Sequence, residues 1–232
     1  RDRNIYEDDF IIGSTEALEI ADNSTVLVVV DVNKPSITEC PDLIKSCKTV
    51  VVLDHQRQGS EVIENATLSY VEPYASSACE MVAEVVQYIA GTVKVRSNEA
   101  DCMYSGIMVD TNNFTAKTGV RTFEAAAFLR RCGADVTRVR KMFRDGAREY
   151  KAKAETVRSA EIYKNAYAMG ICPSEGLDSP TEIGAQAANE LLGINGIKAS
   201  FVVTEYNGKI YISARSIDEV NVQIIMERLG GG

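Results

Sequence analysis

The chain has 232 residues, 33 acidic and 25 basic, for a formal net charge of −8, with 45% apolar and 25% charged side chains. That length supports one large domain or two small ones with a real core, and the composition excludes a disordered tail or a fibrous repeat. No apolar run reaches the ~18 residues of a membrane span and no signal-peptide pattern opens the chain, while the acid excess disfavours holding long nucleic acid by phosphate neutralisation.

The first half alternates short apolar runs with amphipathic stretches. Val26 to Val30 ends in Asp31, and Val50 to Leu53 ends in Asp54. Continuous β-branched runs of this length predict parallel strands buried on both faces, with their terminal aspartates at the C-terminal edge of the sheet, where open α/β folds build their sites. Ser77-Ala78-Cys79-Glu80 reads as a capping box, followed by Met81, Val82, Val85, Val86 and Ile89 at helical spacing. A second helix carries Ala100, Met103, Tyr104, Ile107 and Met108 on one face and delivers Asp110 near its C-terminal end. The helix dipole disfavours a carboxylate there, so a nearby cation is expected to compensate it.

From Thr122 to about Ile162 the pattern is helical and increasingly charged, broken at Gly133, with Asp135 as a new N-cap. Its last part has the texture of a solvated connector. Beyond it, Ala166 to Cys172 suits a strand. Ser179-Pro180-Thr181-Glu182 opens a helix that runs to Leu192, and Asn207-Gly208 marks a hairpin between Lys198–Tyr206 and Lys209–Ala214. Val222, Ile225, Met226 and Leu229 define a terminal helix before Gly230-Gly231-Gly232. Two α/β domains are therefore expected, spanning 1–145 and 163–232, with a helical connector over 146–162.

The six cysteines form no C-x-x-C pair, and His55 is the chain's one histidine, so a structural zinc site is disfavoured and reduced, largely buried thiols are expected. Asp31, Asp54, His55 and Asp110 are hard oxygen and nitrogen donors of the kind that bind manganese or magnesium. A single aspartate at a strand end is ordinarily a turn or cap residue. Two in succession, one followed by the histidine, leave a turn and a metal site equally open.

Asp31-Val32-Asn33-Lys34-Pro35-Ser36, Val51-Val52-Leu53-Asp54-His55 and Gly106-Ile107-Met108-Val109-Asp110-Thr111 resemble successive motifs of the DHH phosphoesterases, and Arg121-Thr122-Phe123-Glu124-Ala125-Ala126 resembles the segment after them. Ile212-Ser213-Ala214-Arg215-Ser216, Asn221-Val222-Gln223 and the final glycines resemble the associated DHHA1 domain. Within the superfamily the nearest likeness is to the membrane-anchored cyclic-di-AMP phosphodiesterases of the GdpP type. The resemblance implies a parallel-sheet DHH domain joined to a smaller DHHA1 domain, and two Mn²⁺ ions that activate a water against a phosphodiester. It implies Asp31, His55 and Asp110 as metal ligands, Asp54 as the residue that orients His55, and Gln56 beside them in the catalytic set. Ser213, Arg215, Gly230, Gly231 and Gly232 would contact a cyclic dinucleotide or a short linear one. It further implies a cytoplasmic segment of a protein anchored by helices outside this chain, and it admits a homodimer.

The sequence also departs from that family. Its opening histidine-and-two-aspartates motif is absent, the second histidine of its Asp-His-His motif is Gln56, Asn33 replaces a frequent histidine, and the chain stops within the glycine run. Glutamine donates a hydrogen bond but supplies no proton or positive charge. The expectation is accordingly a phosphodiesterase in the parent protein, with little or no turnover by this chain alone. The alternatives are a nucleotide-binding sensor without catalysis and a nuclease acting on dinucleotide-length RNA.

Overall fold

In the computed structural model, described for residues 11–89, 93–217 and 219–231, the chain divides into two compact units, residues 1–142 and 143–232. Among the described residues no helix is long and apolar enough to cross a membrane, and none of the six cysteines is paired.

The first unit is built on a parallel sheet of order β1-β2-β3, comprising Val26–Val30, Thr49–Asp54 and Leu68–Val71. Helix α1 (Ser14–Ile20) precedes β1, and α2 (Pro41–Ser46) leads into β2. One face of the sheet is closed by Val50 and Val52, which pack with Ile44, Cys47 and Ile63. The other face corrects the expectation of double burial. Val26, Val28 and Val30 are 56%, 50% and 42% exposed, so β1 is covered on one side only. A run of valines records that a strand is apolar throughout, and says nothing of whether both faces find a partner.

Helices α3 (Ala78–Tyr88), α4 (Ser97–Asp110) and α5 (Val120–Arg131) pack around Ala83, Ala100, Ile107, Ala125 and Leu129. The start of α3 is a cap with a local variation. The Ser77 hydroxyl accepts from the Glu80 N–H at 3.0 Å as predicted, while the Glu80 carboxylate turns to the hydroxyl and N–H of Ser76, at 2.5 and 3.3 Å. Gly133 takes the left-handed φ of +103° that ends a helix, and Asp135 caps α6 (Val136–Met142) by accepting from the Arg138 N–H. The buried Asp101 receives the Asp135 N–H and the Arg138 guanidinium, fixing that corner.

The second unit is a mixed sheet of order β4-β5-β6-β7, comprising Glu161–Tyr163, Tyr167–Cys172, Ala199–Tyr206 and Lys209–Ser216. Helices α7 (Ala147–Arg158) and α8 (Pro180–Leu192) cover it over a core that includes Ala168, Ala187, Leu191 and Val202. The stretch expected as connector thus contains α7, whose Ala152 and Thr156 are buried, and a short exposed strand. Its charges mark the wet face of the helix, and its small residues do the packing. Ser179 precedes α8 without a side-chain cap bond of its own, and Pro180 takes the first helical position. Asn207 and Gly208, at φ +53° and +70°, make the tight turn between β6 and β7. Helix α9 (Val222–Arg228) ends with Gly230 at φ +84° and the Gly231 N–H bonded back to the Met226 carbonyl, a glycine-terminated helix end.

Candidate metal centre and active site

Parallel pairing of β1 with β2 places Val30 beside Leu53, so the residues that follow, Asp31 and Asp54-His55, emerge together at the carboxyl edge. Asp31 leaves the strand in the left-handed region, φ +64°, an uncommon conformation that aspartate tolerates better than most side chains. Its N–H still donates to the Leu53 carbonyl at 2.9 Å, so the turn is locked onto β2 while the carboxylate swings off the strand.

One ligand atom each from Asp31, Asp54 and His55 lies within 4.8 Å of the others. His55 Nε2 is 3.4 Å from Asp31 Oδ1 and 3.7 Å from Asp110 Oδ2, so the last residue of α4 closes the group. The expected cation beside Asp110 is thus the histidine when protonated, with Lys117 also contributing. Burial pushes the Asp110 carboxyl above its ordinary value; the charge on His55 opposes this, that on Asp31 adds to it, and Lys117 opposes it. The loop after Asp110 is pinned by buried Thr111, whose hydroxyl donates to the Ile107 carbonyl at 2.6 Å and accepts from the Phe114 N–H at 2.9 Å.

Asp54 has a larger place than the sequence suggested. It is wholly buried; Oδ1 accepts from the Gln56 N–H at 3.0 Å, and Oδ2 has no partner. A buried carboxylate oxygen without a donor, a few ångströms from an imidazole nitrogen and a second carboxylate, is the donor set a divalent cation satisfies. The residues present therefore fit a metal ion, with Asp31, Asp54, His55 and Asp110 as the groups that would hold it.

Two amides brace the loops that carry Asp31 and Asp54-His55. Asn33, 3% exposed, donates from Nδ2 to the Gln56 carbonyl at 3.1 Å, and the Gln56 side chain donates to the Asp31 carbonyl at 3.4 Å. The loop after β1 and the loop after β2 are thereby clasped. Sequence reasoning noted Asn33 only as a departure. Cys79, read there as an ordinary buried thiol, lies near the site. Its thiol is pushed up to about 11 by burial, then by the charges of Asp110 and Asp31, so it stays protonated and adds no further anion.

In the second unit Ser213 and Arg215 lie opposite Val202 and Ser200, on the face of the sheet that α8 covers. Arg215 Nε donates to Asn189 Oδ1 at 3.0 Å and Nη1 to the Ala214 carbonyl at 2.9 Å. Gly230 and Gly231 form the turn after α9, and Gly232 lies outside the described residues.

Residues 3–107 match the DHH family, N-terminal domain, and residues 167–232 match the DHHA1 domain. The chain belongs to the DHH–DHHA1 family. The DHH match takes in Asp31, Asp54, His55 and Gln56 and stops short of Asp110; the DHHA1 match takes in Ser213, Arg215 and the glycines. The chain is 42% identical to the cyclic-di-AMP phosphodiesterase PdeA of Listeria monocytogenes, over 96% of this chain and 34% of that protein. It is 41% identical to the cyclic-di-AMP phosphodiesterase GdpP of Bacillus subtilis, over 94% of this chain and 33% of that protein. The chain spans about a third of the length of these curated relatives. Among solved structures, an exopolyphosphatase-related protein from Bacteroides fragilis has a similar fold, with a TM-score of 0.73 at 21% identity over 84% of this chain and 59% of that one.

Proposed function

We propose that this chain is part of a metal-dependent phosphodiesterase that opens cyclic-di-AMP to the linear dinucleotide. The observation that carries the reading is the convergence of Asp31, Asp54, His55 and Asp110 at one sheet edge, with the orphaned Asp54 Oδ2 among them. The 41–42% identity to curated cyclic-di-AMP phosphodiesterases along nearly the whole chain supports the substrate. Oxygen-rich donors with one imidazole suit Mn²⁺ or Mg²⁺ better than a thiophilic ion, and Mn²⁺ is the metal we favour. Divalent ions in such a site lower the pKa of an attacking water and stabilise the attacking and leaving oxygens.

The chain's own groups do the remaining work. Asp31, Asp54 and Asp110 supply the negative charge that draws cations to the edge, and the Asn33–Gln56 clasp keeps the two ligand loops at fixed spacing. Gln56 presents a neutral amide where a histidine would offer a proton, so protonation of the leaving oxygen falls to other groups. Arg215, held by Asn189, and Ser213 supply a phosphate or base contact in the second unit. A net charge of −8 favours a dinucleotide over a polymer.

The test is incubation of cyclic-di-AMP and Mn²⁺ with the chain and with the longer protein carrying its upstream sequence, resolving products by chromatography. Linear dinucleotide from the longer protein, lost in Asp31→Ala, is expected; the isolated chain should turn over slowly or not at all. The second reading, a nucleotide-binding module without turnover, is favoured by Gln56, and binding of cyclic-di-AMP with no product from either protein would select it.

A further inference from the structure

Gly106 lies inside α4 and its φ is outside the left-handed region, so no backbone requirement keeps it a glycine. In a helix interior glycine is about 1 kcal/mol worse than alanine. What excludes a side chain is space. A Cβ at position 106 would lie 2.4 Å from Cys79 Sγ and 3.4 Å from Cys79 Cβ. The first distance is about 1 Å short of ordinary contact.

The contact bears on the site because of where its two residues sit. Gly106 and Asp110 are four apart, one turn from each other on the same face of α4. Cys79 is in the first turn of α3, and that turn is anchored: Ser76, Ser77 and Glu80 are buried and bonded to one another. With the first turn of α3 anchored, the clash is relieved by rotation of the Cys79 sulfur or by a shift of α4, and the part of α4 nearest the clash carries Asp110. Metal sites hold ligands to within ~0.2 Å, and Asp110 Oδ2 stands 3.7 Å from His55 Nε2. A displacement of about 1 Å is large on that scale.

We propose that Gly106 is a positioning residue: its bare Cα, seated against the Cys79 thiol, sets the depth of α4 and hence the reach of Asp110 to the metal-binding group. The inference rests on the reading of Asp31, Asp54, His55 and Asp110 as that group. It is tested by NMR on the wild-type chain and on Gly106→Ala, Cys79→Ala and the double variant. His55 is the chain's one histidine, so its imidazole protons give an unambiguous signal that Mn²⁺ broadens when bound beside it.

Gly106→Ala should raise the Mn²⁺ concentration for half-broadening by roughly tenfold or more. Cys79→Ala should stay within about threefold of wild type, and the double variant, with the sulfur removed, should return to that range. A folded Gly106→Ala that binds as wild type, or a double variant no better than Gly106→Ala, overturns the proposal. Should Gly106→Ala not fold alone, the folded double variant decides: wild-type binding supports the proposal and weakened binding overturns it. If Mn²⁺ leaves the wild-type His55 signal untouched, the metal reading fails by itself. The metal-free His55 shift then judges the positioning: moved in Gly106→Ala and restored in the double variant supports it, and unmoved overturns it.

Discussion

Asp54→Asn separates a metal ligand from a turn residue. The replacement keeps an oxygen to accept the Gln56 N–H, which Oδ1 accepts at 3.0 Å, and changes the partnerless Oδ2 into a neutral donor. Metal-free, the variant loses a buried negative charge beside Asp31, whose side chain is 56% exposed. After screening, that relief is on the order of 1 kcal/mol, offset by an amide left without an acceptor. The metal-free variant should therefore melt at the wild-type temperature or up to about 4 °C above it. With Mn²⁺ a hundredfold above its Kd, the wild type gains about 2.7 kcal/mol, which for a chain of this length is roughly 5–11 °C. Asp54→Asn should lose most of that gain. The assay is a pair of thermal unfolding scans, with and without Mn²⁺, for each protein. A variant that is destabilised by about 2 kcal/mol without metal and still gains the full Mn²⁺ increment would refute the reasoning and make Asp54 a structural turn acid.

Asn33→Ala removes the buried bond to the Gln56 carbonyl and should cost about 1–2 kcal/mol in urea unfolding; an unchanged midpoint would mean the clasp contributes nothing. Glu61 accepts the hydroxyl and N–H of Ser36 at 2.7 and 2.8 Å, and these bonds, the side-chain one first, hold its carboxyl below the ordinary value of 4.5, with Lys34 adding to the effect. Its contribution is complete above about pH 4.5 and is lost as the pH falls through the lowered value. Glu61→Gln should accordingly flatten the acid limb of a stability–pH curve measured between pH 6 and 3, about the range of carboxylate titration. An unchanged acid limb would count against it.

Much of the candidate site was legible because its carboxylates sit at ends of elements. A valine run that stops at Asp31 and another that stops at Asp54 announce both the strands and their carboxyl edge, and the apolar stripe of α4 carries the reading through to Asp110. What the sequence did not disclose depends on relations between distant segments. The open side of β1 is invisible because valine suits a covered face and an uncovered one alike. Asn33 and Gln56 are separated by 23 positions, and only folding makes the two loops neighbours. Gly106 and Cys79 matter by the distance between two helices, which no periodicity encodes. In the second unit, the charges of α7 drew attention to its solvated side, while Ala152 and Thr156 decide what it packs on.

The bare side of β1 has a consequence for how this molecule behaves in bulk. Among the described residues β1 pairs with β2 alone, over five successive apolar positions without proline or charge. Such a strand is a template for stacking with its own kind. The strand itself holds no gatekeeper, and the counterweight is global: the net charge of −8 makes every molecule repel every other. Because that repulsion fades beyond a Debye length of ~10 Å at 0.1 M salt, ionic strength acts as a control on colloidal stability. The acid excess that disfavours long polyanions also pushes copies of this chain apart.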